Sequence, residues 1–489
     1  MSFFALSLVV YGGLVGWLTN HLQATAAEWG FTLAHLALAG AINAHLIWVA
    51  RRRSLSFLGS APLAFLVVLH FYFTLSGIRY FSPILLYPQF ELSLGAQFAG
   101  SVAAAVVLFA CGMVLGRQRG PTTARMQAWV SAHWADIGRL MITSVFGSIA
   151  CKLVLHRLGY GSIYTDSLYN ENAVRSYWDF PILLANDVFG ALSVTFGLMY
   201  VMRRGAWGRR PVMFLVAAMG VLLQMAYVLL YLKARMILLT VPISLALVAE
   251  VVSRRRAERL LQTLWLVMPM LSLLGVQLTL LIGRFNVPED TGLRLAIGAV
   301  NRRADLTDFA TAMVVNSGGK AHDATIVPMA VLNAIPRAVF PGKEAVVRDV
   351  YTEILEQRLG WPAGAGEDML ADYLDTAFSN GVMAFGVVGF FVVPLMLVWL
   401  WGRVSAWLDR RARGLAYGLT IISLWLSAMH IEGEWAWIPL NFRQAAFYAV
   451  ICLGLAVVGR LAHEVLAVAS LPPPPLVAAG GRSAATSAR

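Results

Sequence analysis

Charge is what this chain has least of. Acidic and basic residues together make up 13% of its 489 positions, about half the roughly 25% carried by an ordinary soluble domain. A fold so poor in charge cannot present an ordinary surface to water, and the mean hydropathy of +0.69 sets that surface against lipid. A soluble enzyme, a disordered chain and a secreted module are therefore excluded as descriptions of the whole. Lysine is scarcer still, with only Lys152, Lys233, Lys320 and Lys343 among the 38 cations. The three cysteines, Cys111, Cys151 and Cys452, each lie in an apolar run, so they frame neither a disulfide scaffold nor a CxxC metal site and read as filler. No Lys or Arg precedes the first apolar run, so Ala24-Thr25-Ala26 does not complete a secretory leader, and that run is expected as an uncleaved first span.

Two further absences bear on chemistry. No Asp-x-Asp occurs, so the metal-bound nucleotide-sugar site of common soluble glycosyltransferases lacks its ligands. Glu432-Gly433-Glu434 is the nearest acidic pair, and without a His cluster at ligand spacing it reads as a solvated loop. Neither a metal nor a cofactor is expected. No internal repeat is visible, which weighs against a transporter built from duplicated halves.

What the chain does contain is apolar runs long enough to cross a ~30 Å hydrocarbon layer at ~1.5 Å per residue. Twelve can be marked: Phe3 to Leu18, Phe31 to Ala50, Leu58 to Ile78, Leu94 to Gly116, Leu140 to Leu155, Pro181 to Met202, Pro211 to Leu232, Met236 to Val252, Leu260 to Gly283, Met383 to Gly402, Leu415 to Ile431 and Ala445 to Leu461. The expected fold is an all-α polytopic bundle in a lipid bilayer. Arginine clusters occupy every second connection, at 51–53, 117–139, 203–210, 254–259 and 403–413, and with the tail they hold 22 of the 38 cations. The positive-inside tendency assigns that side, and both termini, to the cytoplasm. The net charge of +12 thus follows membrane topology and implies no nucleic-acid partner.

The chain accordingly divides into spans one to nine at 1–283, a large outer loop at 284–382, spans ten to twelve at 383–462 and a disordered tail at 463–489. The outer loop holds 13 acidic residues against nine cations, opposite in sign to the inner connections. It contains a helical stripe, Val347, Val350, Tyr351, Ile354 and Leu355, facing away from Arg348, Asp349, Glu353 and Glu356.

Cations on the outer side need a separate reason. Lys233 and Arg235 sit in a tight turn between spans, and Arg284 and Arg79 end spans there. Snorkelling to lipid phosphate accounts for them, Arg79 above all; a cradle for an anionic head group is the sharper alternative. The outer loop adds Arg302, Arg303 and Asp305, then Ile335 to Lys343, where Pro336 and Pro341 bracket Arg337 and stiffen it. Asp305, Asp308, His322, Asp323, His430 and Glu432 are the available general bases. Asp187 lies inside the sixth span, where ionisable groups are costly and often functional. His35, His45 and His70 look scattered and isolated, which disfavours membrane acyl transfer.

The order Arg235, Arg303 with Asp305, Gly318-Gly319, Ile335 to Lys343, then Asn380, Gly381, Gly386 and Gly389 resembles the Wzy-type oligosaccharide repeat-unit polymerases, also called O-antigen polymerases, of bacterial envelopes. The likeness covers roughly Lys233 to Leu400, and Gly342-Lys343-Glu344 departs from the Lys-Pro of many relatives. It implies a GT-C-like, metal-independent glycosyltransferase of the bacterial inner membrane. Such an enzyme transfers glycan at the periplasmic face between polyprenyl-diphosphate-linked donor and acceptor, and a chain-length regulator is a further partner the likeness admits. Arg235, Arg303, Arg337 and Lys343 would then hold the departing diphosphate, with Lys233, Arg284, Arg302 and Asp187 lining the substrate site and Asp305 or His430 in catalytic roles. A ligase, or a flippase for lipid-linked sugar, is the alternative.

Overall fold

The computed structural model describes residues 24–81, 92–160, 179–203, 211–230, 243–281, 306–325, 376–429 and 445–458, with Arg294, Ile297, Val327, Pro328, Val331, Leu332, Ile335, Arg460 and Leu461. Every named element in them is helical; the one β-pairing is an isolated bridge between Leu55 and Thr122. In chain order the helices are α1 (Ala26–Arg53), α2 (Ala61–Leu75), α3 (Leu94–Arg117), α4 (Thr123–Ala132), α5 (Trp134–Leu155) and α6 (Asp179–Met202). Then come α7 (Pro211–Leu230), α8 (Arg254–Leu281), α9 (Asp308–Ser317), α10 (Ala377–Arg411), α11 (Gly414–Ala428) and α12 (Ala445–Val458). Among the described residues five stretches, Ala26–Arg53, Ala61–Phe81, Leu94–Arg117, Trp134–Leu158 and Ala377–Arg411, are long and apolar enough to cross a membrane. The expected first span lies outside the described residues.

Local sequence explains the helix ends. Thr25, read above as part of a leader-like triplet, caps α1 in a reciprocal box with Glu28, and Arg51 to Arg53 close the same helix where its dipole favours cations. Pro62 opens the first turn of α2, where its missing N–H costs nothing. Every residue of α2 is buried. A helix apolar all round belongs in the middle of a bundle, and α1, α3, α8, α10 and α11 surround it. Outward faces carry the unpaired apolar side chains, such as Val106, Met113 and Val388, as lipid contact requires.

One end of the bundle gathers the arginine clusters. Arg51 and Arg254 both bind Glu258, at 2.7 and 3.1 Å. Arg125 pairs with Asp409 at 3.0 Å and lies over the Tyr417 ring. Arg460 and Arg139 share Asp136, and Arg203 stacks on Trp134. Two sequence boundaries shift here: α5 begins at Trp134 and α8 at Arg254, so Arg139 and Arg254 to Arg259, read as parts of connections, lie within helices.

At the same end Glu250 is buried and accepts from Ser56 Oγ, the Leu58 N–H and Thr123 Oγ1 at 2.5, 3.0 and 2.6 Å. Glu250→Ala, which removes the acceptor of the buried Ser56 hydroxyl and Leu58 N–H and of the half-buried Thr123 hydroxyl, should cost about 1–3 kcal/mol in detergent melting.

Candidate functional site

The opposite end of the bundle is built around a buried guanidinium. Arg79 lies in a 3-10 turn, Ser76–Phe81, that continues α2. It is 3% exposed, so it does not snorkel to the surface as the sequence implied. It donates to Thr307 Oγ1 at 2.9 Å, the Gln97 carbonyl at 3.1 Å and Ser101 Oγ at 2.5 Å, and pairs with Asp308 at 3.2 Å. Ser101 also meets Tyr80 and His35, and the second ring nitrogen of His35 lies 2.6 Å from the Phe73 carbonyl. His35, which looked isolated in sequence, thus belongs to a network joining α1, α2, α3 and α9. Beside it Arg294 binds Glu28 and the Phe81 carbonyl.

Against this centre the structure sets a broken helix. α10 was expected from Met383, yet its first turns, Ala377 to Val382, are already helical and buried, capped by Thr376 and Ser379. At Gly386 the backbone leaves helical geometry, with φ 64° and ψ −150°. The chain then folds back so that Gly381 and Gly389, eight positions apart, lie backbone to backbone, an approach only glycine permits. Thr376 reaches the Leu306 carbonyl at 3.2 Å, tying the short arm to the start of α9.

The break is filled by the loop after α9. Val387 N–H donates to the Gly319 carbonyl at 3.0 Å, and the N–H groups of His322 and Asp323 both donate to the Met383 carbonyl, at 2.9 and 3.0 Å. Irregular backbone within a membrane bundle survives where protein satisfies it. The two glycine stretches, Gly318-Gly319 and Gly381 to Gly389, are therefore parts of one construction that holds Lys320, His322 and Asp323. One Asp323 oxygen accepts from the Thr325 N–H and hydroxyl, each at 2.8 Å, which fixes the carboxylate. Among the proposed bases Asp308 is committed to Arg79, whereas His322 and Asp323 stand half-buried at the break. Residues Thr307 to Met313, part of the stretch assigned from sequence to the outer loop, pack into the bundle core against α3 and α10.

Arg235, Arg303, Asp305, Arg337, His430, Lys233, Arg284, Arg302, Lys343 and Glu432 lie outside the described residues, as does the side chain of Asp187. Among the described residues no group of three or more His, Cys, Asp or Glu could hold a metal ion. Sequence reasoning did not assign the Arg79 centre. Its available signal was an Arg closing an apolar run together with a Thr-Asp pair, Thr307-Asp308, opening a helix. No family model, curated protein or solved structure matches the chain.

Proposed function

We propose that the protein is a membrane glycosyltransferase that lengthens polyprenyl-diphosphate-linked oligosaccharides at the outer face of a bacterial inner membrane, with both termini cytoplasmic. The observation that supports this reading is the convergence of both glycine stretches on the break in α10, which holds His322, Asp323 and Lys320 at the end of the bundle remote from the arginine clusters. An acceptor hydroxyl attacking the anomeric carbon gives its proton to a base, for which His322 and Asp323 are the residues in position. The carbon–oxygen bond to the diphosphate breaks, and the leaving group gathers negative charge. Arg235, Arg303, Arg337 and Lys343, with Lys320 beside the break, stabilise that charge more in the transition state than in the ground state. Planar guanidinium forks engage phosphate oxygens two at a time.

Broken helices also hold the substrates of transporters, so the decisive experiment separates chemistry from movement. Purified protein in liposomes is supplied with a polyprenyl-diphosphate-linked repeat unit, and product length and sidedness are read together. Lengthening without net translocation is expected; translocation without lengthening overturns the proposal, and transfer of finished chains to another lipid points to a ligase. In the same assay, Ala at Arg235, Arg303 or Arg337 should slow elongation about 10²–10³-fold at unchanged membrane abundance.

A further inference from the structure

At the end of the bundle that gathers the arginines, α3 stands between α1 and α10. His45 of α1 packs over Gly112 of α3 and lies 5.1 Å from the Phe109 ring. On the other flank Gln118, the residue after α3, donates to the Val398 and Trp399 carbonyls of α10 at 3.2 and 3.4 Å. Each flank carries the same pair. Arg52 of α1 lies over the Trp48 ring and Arg403 of α10 over the Trp399 ring, both 5.3 Å from the centroid. In each case the arginine follows its tryptophan by four positions, which sets the two on one helix face. Neither indole is covered: Trp48 is 52% exposed and Trp399 47%. Between them α3 presents Met113, 60% exposed, and one turn further its last residue, the exposed Arg117. Arg51, Arg125, Arg139, Arg254 and Arg460 at this end each bind a carboxylate. Arg52, Arg117 and Arg403 have no such counter-charge among the described residues.

We infer that this three-helix surface binds an anionic phospholipid carrying two phosphates, with the phosphates against Arg52, Arg117 and Arg403 and the chains over Met113 and the two indoles. Basic surfaces between membrane spans take lipid head groups of this kind, and half-exposed tryptophans belong at the boundary where head group gives way to chain. Stacking engages the flat face of a guanidinium and leaves its N–H edge to donate to phosphate oxygens. Charge selects the class of lipid. A zwitterionic head group brings no net charge to three uncompensated guanidiniums. A single phosphate can serve two neighbouring helices, whose axes lie ~8–10 Å apart when packed, but it cannot bridge the pair on either side of α3. Two linked phosphates can. A second copy of this chain is a poor occupant, because a two-fold seam would bring the same cations face to face. The site requires only that this end of the bundle meets a bilayer, whichever reaction the protein performs.

The test titrates the full chain, purified and delipidated in detergent, with cardiolipin, phosphatidylglycerol and phosphatidylethanolamine of matched acyl chains, and counts bound lipid by native mass spectrometry. Cardiolipin is expected to bind about tenfold more tightly than phosphatidylglycerol, with phosphatidylethanolamine weaker still. Arg52→Gln, Arg117→Gln and Arg403→Gln together should weaken cardiolipin about a hundredfold, at roughly fivefold for each cation. Arg255→Gln, Arg256→Gln and Arg413→Gln together remove the same charge from exposed positions at the same end, and should weaken it less than about fivefold, since solvent screens charge that does not touch the head group. Phosphatidylglycerol bound as tightly as cardiolipin overturns the two-phosphate assignment. Equal losses in the two triple variants overturn the site, because any basic face would give them. Should the first triple variant not fold, Trp48→Leu with Trp399→Leu removes both stacking platforms and keeps every charge; a loss of about tenfold is expected there, and unchanged binding is equally fatal. A dimer formed in place of the lipid complex makes the surface a seam between copies and also overturns the proposal. Elongation enters none of these readouts, so their failure leaves the transferase proposal untouched.

Discussion

Arg79→Ala is expected to destabilise the folded bundle by about 3–5 kcal/mol, the range for removing one partner of a buried ion pair. Arg79 is almost fully enclosed and Asp308 mostly so, with side-chain exposures of 3% and 17%. Deleting the guanidinium leaves the Asp308 carboxylate without its counter-charge and takes a donor from Thr307, Ser101 and the Gln97 carbonyl at once. Those groups belong to two separate stretches, so the loss loosens the start of α9 and α3 from each other and from the turn after α2. Thermal melting in detergent would measure it. Arg79→Lys should fall between, because a single ammonium cannot reach as many acceptors as the planar fork. Joint replacement Arg79→Met with Asp308→Leu should recover much of the loss, since a buried pair exchanged for apolar volume is often neutral. An Arg79→Ala protein that melts with the parent would show that the network carries no structural weight.

That network illustrates what a sequence displays and what it conceals. The apolar runs that became α1, α3 and α5 are legible from composition because a span must be continuous and unbroken to satisfy its own backbone. The arginine clusters are legible too, because their alternation along the chain reports one end of a bundle. Arg79 is different. Its position at the end of a run predicts an exposed head, whereas contacts from other elements, Gln97 and Ser101 of α3 and Thr307 and Asp308 more than two hundred positions away, hold it inward. Lys152 lies near the end of the fifth span in the same way, and nothing within that span announces that Asn186 of α6 stands opposite. Glycines 381, 386 and 389 were visible as a motif, yet in an apolar run they read as the opening of one straight helix. Their spacing does not say that the chain reverses. The base candidates show the same limit: equal in sequence, Asp308 and Asp323 separate only when tertiary contacts give one an arginine and the other a turn.

The reversal itself can be tested at Gly386. Gly386→Ala should destabilise the protein by roughly 2–6 kcal/mol, the sum of ~1–3 for a backbone region open almost only to glycine and ~1–3 for overpacking. The backbone there has φ 64° and ψ −150°. An added methyl would also overlap the Gly319 carbonyl oxygen and lie 2.8 Å from the Ala321 nitrogen. Neither neighbour can yield without breaking the bonds from Val387 to Gly319 and from His322 and Asp323 to Met383. Relief by moving the loop would carry His322 and Asp323 off the break, so elongation in the liposome assay should fall further than the melting temperature alone predicts. Gly454→Ala is the matched control, since no atom lies within 4 Å of the methyl it adds and it sits in helical α12; it should be neutral or stabilising by up to ~1 kcal/mol. A Gly386→Ala protein that melts and elongates like this control would remove the broken helix, and with it the support that His322 and Asp323 lend to the catalytic reading.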